Sequence, residues 1–269
     1  MKRKEEVREN VRQTYGNIAV QGCNGSDAGV SQSCCGPSES ENQSNLPACG
    51  CGQWGLNTDQ ISAFLGYSQE DLETVPDGAN LGLGCGNPQA IASIKLGEVV
   101  VDLGSGGGFD CFLAAREVGA KGRVIGVDMT PEMISRARMN KKKAAVENVE
   151  FRLGEIEHLP VGDNMADLII SNCVINLSPE KIQVYQDAFR VLKPGGRLAV
   201  SDIVAQKPLP EDIQKDLALV SACIGGAATI EDTQKMLKQA GFENIFITPK
   251  KISQELIDEM LPGSLAGEY

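Results

Sequence analysis

The sequence predicts an α/β fold, a doubly wound and mostly parallel sheet, and three observations carry that expectation. From Glu98 onward, short apolar runs alternate with segments of helical periodicity, the pattern of strands joined by crossover helices. The first run, "EVVVDLG", is continuously apolar, as a strand buried on both faces must be. It empties into a glycine-rich loop followed by a helix pattern, the place where open parallel sheets take their ligands.

The elements follow in order. Residues 3–20 carry Val7, Val11, Tyr15 and Ile18 at helical spacing, which predicts an amphipathic helix. Residues 21–57 are rich in Gly, Ser, Asn and Cys and poor in large aliphatic residues, which predicts a mostly irregular loop. Short helices are expected at 58–66 and 68–75. After the first strand come a helix at about 109–119 and the strand "GRVIGVD". Thr130 and Pro131 then stand as N-cap and first residue of a helix running to about 145. "NVEFRL" and "ADLIISN" are the third and fourth strands. A helix over 179–192 ends in "LKPGG", and "RLAVSDIV" is the fifth strand. Helices at about 211–224 and 230–240 precede a sixth strand, "FENIFIT". The division expected is a helical and Cys-rich extension over 1–77, a core over 78–206 and a small substrate-binding region over 207–269.

Charge and composition exclude several classes of function. With 25 Lys and Arg against 36 Asp and Glu, the formal net charge of −11 repels phosphate backbones and argues against nucleic-acid binding. The opening "MKRKEEVREN" has no apolar run behind it, so no signal peptide is expected, and no stretch has the length of a membrane span. A cytoplasmic monomer is the expectation. A single histidine, His158, argues against a Ser-His-Asp hydrolase and against imidazole-rich zinc sites. Nine cysteines, odd in number, point instead to metal, metalloid or redox chemistry in a reducing compartment.

"VVVDLGSGGGFD" places Asp102, Gly104, Gly106 and Gly108 at alternate positions. Glycines at a strand-to-helix turn expose amides and let a ligand approach the backbone. The dinucleotide fingerprint needs a glycine where Phe109 stands. The second strand ends in Asp128, about twenty residues past Gly108, where an acid can bind both hydroxyls of a ribose. The acidic D-x-G-x-G-x-G form resembles the S-adenosylmethionine (SAM) loop of class I methyltransferases, a Rossmann-like fold, over residues 98–206. The resemblance implies that the Gly104–Gly106 backbone cradles the methionine end of SAM and that Asp128 holds the ribose. It also implies that Met129 and Ile156 flank the adenine with Glu155 nearby, and that Asp102 and Asn172 belong to the cofactor site.

Three further cysteines sit on loops or element ends. Cys85 lies among glycines in "LGLGCGNP", which predicts a flexible loop, Cys173 follows the fourth strand in "SNCVINL", and Cys223 stands in "SACIGG" at a helix end. Parallel topology brings Cys173 to the carboxyl edge of the sheet. Three soft thiolates select a soft acceptor. Arsenite has three exchangeable oxygens and one lone pair, and that lone pair carries no proton, so its attack on a methyl group needs no general base. At this point the chain resembles the microbial arsenite methyltransferases. The matching stretches are "GANLGLGCGNP", "VVDLGSGGGFDCFLA", "GVDMTPEMI", "RLGEIEHLP", "SNCVINLSPEK", "FRVLKPGGRLAVSDIV" and "CIGGA". The resemblance implies that Cys85, Cys173 and Cys223 bind trivalent arsenic and carry the reaction. Arsenite and methylated trivalent arsenicals are then the substrates, SAM the methyl donor, and thioredoxin, glutaredoxin or glutathione the reductant.

Two departures from that family stand out. Many members have a fourth functional cysteine whose spacing falls at Asn57 here, with Cys49 and Cys51 the nearest thiols, and the chain ends at Tyr269 without a seventh strand. For Cys34, Cys35, Cys49 and Cys51, three readings stay open: a zinc site, a thiol arm that delivers arsenic or exchanges disulfides, and dispensable loop thiols. Cys111 reads as a packing residue, His158 as an exposed side chain, "NKKKAA" as a solvated helix face, and Asp202 as either a pocket wall or a turn residue. Two other functions compete, a SAM-dependent C-methyltransferase of a quinone or lipid precursor and a non-catalytic metalloid carrier. The first gives no reason for thiols at 85, 173 and 223, and the second none for the intact Asp102, glycines and Asp128.

Overall fold

A computed structural model describes residues 2–21 and 58–250. Helix α1 (Lys2–Gln21) is followed, after residues 22–57, by α2 (Thr58–Phe64), α3 (Gln69–Thr74) and the single turn α4 (Gln89–Ala92). The core then runs β1 (Val99–Leu103), α5 (Phe109–Val118), β2 (Arg123–Asp128), α6 (Pro131–Ala144), β3 (Val149–Leu153), β4 (Ala166–Asn172), a 3₁₀ turn (Ile175–Leu177), α7 (Lys181–Val191) and β5 (Leu192–Ser201). A two-residue strand β6 (Val204–Ala205), α8 (Glu211–Lys215), α9 (Leu217–Ser221), a two-residue strand β7 (Ala228–Thr229) and α10 (Ile230–Ala240) complete the described chain.

The five long strands form one parallel sheet in the order β3-β2-β1-β4-β5. Successive residues of a strand point to opposite faces, and both faces are covered. Val100, Val124, Val149 and Leu168 pack under α5 and α6 with Phe112, Ile134 and Ala137. Val101, Leu103, Ile125 and Ile169 pack under α7 and α10 with Val184, Ala188 and Leu237. Val100, Val101 and Leu103 have no exposed surface, each burial contributing about 1.5–3 kcal/mol before the entropy of ordering is charged against it. The strand order reverses between β1 and β4, and the two chains leaving their carboxyl ends diverge there to open a cleft. Helix α1 buries Val7, Val11 and Ile18 as its spacing predicts and lies across α6, α9 and the 3₁₀ turn.

Three boundaries differ from the expectations. "FENIFIT" is not a strand: residues 242–248 leave α10 without regular structure. A strand needs a ladder partner, and among the described residues none lies on the free side of β5. Phe242 packs edge-on against Phe189 at 5.4 Å instead, while Phe246 is exposed. The helix expected over 211–224 is broken at Asp216, whose extended backbone ends α8 and whose carboxylate caps α9 through Ala218 N and Leu219 N. Strand β5 begins at Leu192 rather than after "LKPGG", with a register shift opposite Ala166 and Leu168. An edge strand tolerates the proline that a central one excludes. Cys111 is buried and His158 exposed, as expected. In "NKKKAA" Lys142 and Lys143 are exposed, but Asn140 is buried and donates to the Gly107 carbonyl at 3.0 Å, so the run is not a solvated face throughout. Cys23, Cys34, Cys35, Cys49, Cys51 and Asn57 lie outside the described residues.

Candidate active site

The glycine loop after β1 opens onto the cleft. Gly104 adopts φ +66°, and a Cβ there would meet Val174 Cγ2 at 2.5 Å, so only glycine fits. Gly106, at φ +50°, has nothing nearer to such an atom than Met133 Sδ at 4.0 Å, leaving a cradle that a side chain would fill. Asp102, at the end of β1, is buried, and its Oδ2 accepts a hydrogen bond from Cys111 Sγ at 3.2 Å. Burial, reinforced by the neighbouring Asp110, pushes its carboxyl well above the usual range. Cys111 thus packs the core and also partners this acid.

Asp128, at the end of β2, accepts from the amides of Gly106 (2.9 Å) and Thr130 (2.8 Å). Burial raises its pKa against the pull of those two amides. Asp102, Gly104, Gly106, Asp128, Met129, Ile156 and Asn172 all line the cleft. Glu155 does not. Its carboxylate turns to α1, 3.7 Å from Arg8 Nε and 3.6 Å from Arg12 Nη2, and Glu157 lines the cleft in its place. Arg8, buried on α1, also faces Glu157 and Glu180.

The three cysteine segments converge at one end of this cleft. Cys173 is 8% exposed and Cys223 3%, and Cys85 packs against them half-buried. The Cys223 thiol donates to the carbonyl of Cys173 at 2.9 Å. The neighbouring Cys223 and Cys85 thiols, with burial, raise the Cys173 pKa well above the ordinary value. For Cys85 the nearby Cys173 thiol pulls the other way, but burial and the Asp202 carboxylate outweigh it and the thiol is raised too. Asp202 therefore belongs to the site, its carboxylate oxygen within 4.8 Å of both the Cys85 and Cys173 sulfurs. Burial pushes it up to about 6.

Backbone geometry explains how thiols so distant in sequence meet. Cys173 and Cys223 both hold left-handed conformations, φ 56° and 65°, which cost on the order of 1 kcal/mol or more for a residue with a side chain. A Cβ on Gly226 would fall 1.9 Å from the carbonyl of Asn176, and one on Gly86 would fall 1.9 Å from Ser201 Oγ. These glycines dock the Cys223 and Cys85 segments onto the ends of β4 and β5. The glycine loop around Cys85 therefore does not serve as a free hinge. The Cys85 N–H donates to Asn172 Oδ1 at 3.2 Å and the Cys85 thiol faces the Ser201 carbonyl at 3.6 Å. Tyr67 and Asp110, which bond to each other at 2.8 Å and line the cleft, were not legible beforehand. Only the acid behind "GGGF" offered a signal, and Tyr67 offered none.

The methyltransferase-domain family model matches residues 94–241, and the chain belongs to that family. An arsenite methyltransferase of Halobacterium salinarum is 51% identical over 98% of this chain and 64% of its own length. That of Aquipseudomonas alcaligenes is 40% identical over 59% of this chain and 50% of its own, and that of Mus musculus 36% identical over 71% and 52%. The chain thus spans about half to two thirds of these relatives' lengths. The crystal structure of an arsenic(III) S-adenosylmethionine methyltransferase from Chlamydomonas reinhardtii is 38% identical and superposes with a TM-score of 0.55, covering 67% of this chain and 61% of that one.

Proposed function

We propose that this chain transfers a methyl group from SAM to trivalent arsenic held by Cys85, Cys173 and Cys223. The observation that carries the reading is the meeting of three thiols from remote segments beside the glycine cradle, two of them on left-handed backbone. The identity to arsenite methyltransferases supports the same chemistry. On this reading 78–206 is the methyl-donor core, 207–269 is the region that supplies the third arsenic ligand, Cys223, and 1–77 is an N-terminal extension whose helix α1 lines the cleft with Arg8, Val11 and Tyr15.

The residues present fit the donor. Gly106 leaves open space for its amino-acid end, Asp128 offers a buried carboxylate to the ribose hydroxyls, and Met129 and Ile156 offer apolar walls to the adenine. When bound, SAM supplies an electrophilic methyl group on a sulfonium. Arsenite enters as the neutral trihydroxide, and each thiol that replaces a hydroxyl sends its proton away in the water released. Cys85 and Cys173, whose pKa values are raised, bring those protons with them. Three As–S bonds leave the arsenic lone pair exposed, and it attacks without proton transfer.

Methylation removes two electrons from arsenic, and a thiol reductant such as thioredoxin, glutaredoxin or glutathione restores them or reduces the disulfides that result. A reducing cytoplasm and a monomeric chain suit this cycle. Among the described residues no helix is long and apolar enough to cross a membrane. SAM consumption with and without arsenite tests the reading. We expect consumption only with arsenite, over repeated turnovers only with a thiol reductant. Consumption driven by a quinone or lipid acceptor and indifferent to arsenite would replace it.

A further inference from the structure

We infer that Tyr67 and Asp110 are positioning residues for Cys85, acting through the amide of Asn172. The inference rests on the arsenic reading above and adds to it what holds the third thiol in place.

Asn172 is the hub. Its Oδ1 accepts the Cys85 N–H at 3.2 Å. Its Nδ2 lies 3.0 Å from the Gly86 carbonyl, 3.1 Å from Asp110 Oδ2 and 3.1 Å from Tyr67 Oη. The Tyr67 hydroxyl donates to Asp110 Oδ1 at 2.8 Å, leaving its lone pairs toward the amide. Gln89 Nε2 donates to the same Asp110 oxygen at 3.0 Å and to the Asp110 carbonyl at 3.1 Å. Reversing the Asn172 amide would set its NH₂ against the Cys85 N–H and its oxygen against a carboxylate and a carbonyl. The Asp110 carboxylate therefore decides which way the amide points, and that direction decides whether the Cys85 N–H has an acceptor.

The network is expensive in the absence of a task. Tyr67 and Asp110 are buried, and burying a carboxylate and a hydroxyl is unfavourable unless every bond is made. They come from the turn after α2 and the first turn of α5, and they meet Gln89 of α4 and the last residue of β4. Tyr67 is further fixed by an edge-on contact with Phe109 at 4.8 Å. The loop is drawn close: a Cβ on Gly84 would fall 2.7 Å from Asn172 Nδ2. The other two thiols are held without the Asn172 side chain, since the Cys173 N–H bonds to the Ser201 carbonyl at 2.8 Å and the Cys223 thiol to the Cys173 carbonyl. Loosening the network should therefore free one ligand of three.

Tyr67→Phe and Asp110→Asn in the full chain separate this role from general structural support. Arsenite takes three thiols, whereas a monomethyl trivalent arsenical has two exchangeable positions. In calorimetry without SAM, we expect each variant to bind arsenite about tenfold more weakly, the loss of one hydrogen bond to a charged group, and to bind the monomethyl species as the parent does. Hydrogen exchange at the Cys85 amide should quicken in both. Equal weakening toward both arsenicals, or unchanged exchange at Cys85, would overturn the inference. A parent chain that binds neither arsenical would instead remove the arsenic reading, and the exchange measurement would still decide the positioning role.

Discussion

The Cys223 thiol donates a 2.9 Å hydrogen bond to the backbone carbonyl of Cys173, fifty residues earlier in the chain. It joins the segment after α9 to the end of β4, so two of the three proposed arsenic ligands form one locked unit. Cys85 arrives from a third segment under separate control.

That division sets the outcome of a serine series. Two thiols suffice for a monomethyl arsenical, while arsenite needs three. Cys85→Ser is expected to abolish methylation of arsenite and keep measurable methylation of the monomethyl species, whereas Cys173→Ser and Cys223→Ser should lose both. Serine preserves size and removes the soft donor. Product speciation by chromatography, with each arsenical as sole substrate, reads the result. Normal methylation of arsenite by Cys85→Ser would dismiss the loop thiol as a ligand.

Asp128 bears on the donor rather than the acceptor. Asp128→Ala should weaken SAM binding by about 2–4 kcal/mol, one to two hydrogen bonds to a charged group, or roughly 30- to 1000-fold. Arsenite binding should survive. The variant should also melt lower, because the amides of Gly106 and Thr130 lose their acceptor. Calorimetry with SAM showing undiminished affinity would take Asp128 out of the site.

The docking glycines give a packing test with an internal control. Gly86→Ala drives a methyl into Ser201 Oγ, a side-chain atom, and Gly226→Ala drives one into the carbonyl of Asn176, which is backbone. Each should cost about 1–3 kcal/mol. Adding Ser201→Ala should recover much of the first loss, while no single side-chain change should recover the second. Thermal melts of the two singles and the double decide it.

At the opposite end of the sheet, Arg197 makes a two-pronged pair with Glu98, at 2.7 and 2.8 Å, and bonds the carbonyls of Ala92 and Ser93. The Arg197 hydrogen bonds, working against burial, hold the Glu98 carboxyl below its ordinary value of 4.5. A carboxylate with a depressed folded-state pKa stabilises fully above the unfolded value and loses that contribution as the pH falls through the depressed one. Melting temperature should therefore drop more steeply below about pH 4.5 in the parent than in Arg197→Met, which starts lower at neutral pH. Parallel pH curves would show that the pair contributes nothing.

The sheet and the donor loop were legible because both are local patterns. A strand buried on two faces must be apolar throughout, as "VVVDL" and "ADLII" are, and a turn that brings backbone to a ligand must spend glycine. The cysteines at 85, 173 and 223 were legible as types placed at element ends, with the topology bringing one of them to the right edge. What tertiary structure alone decided is everything that depends on what a segment meets. "FENIFIT" has the composition of a strand, but a strand exists only with a partner to bond, and none stands beside β5 among the described residues. The glycines around Cys85 read as freedom; in the fold they are clearance for Asn172 and Ser201. Glu155 stands one residue from the cleft wall, but two arginines of α1 turn it outward. Tyr67 and Asp110 gain their meaning from an amide far away in sequence. Local sequence sets which conformations are affordable, whereas the direction of a buried side chain is set by partners that the chain brings together only on folding.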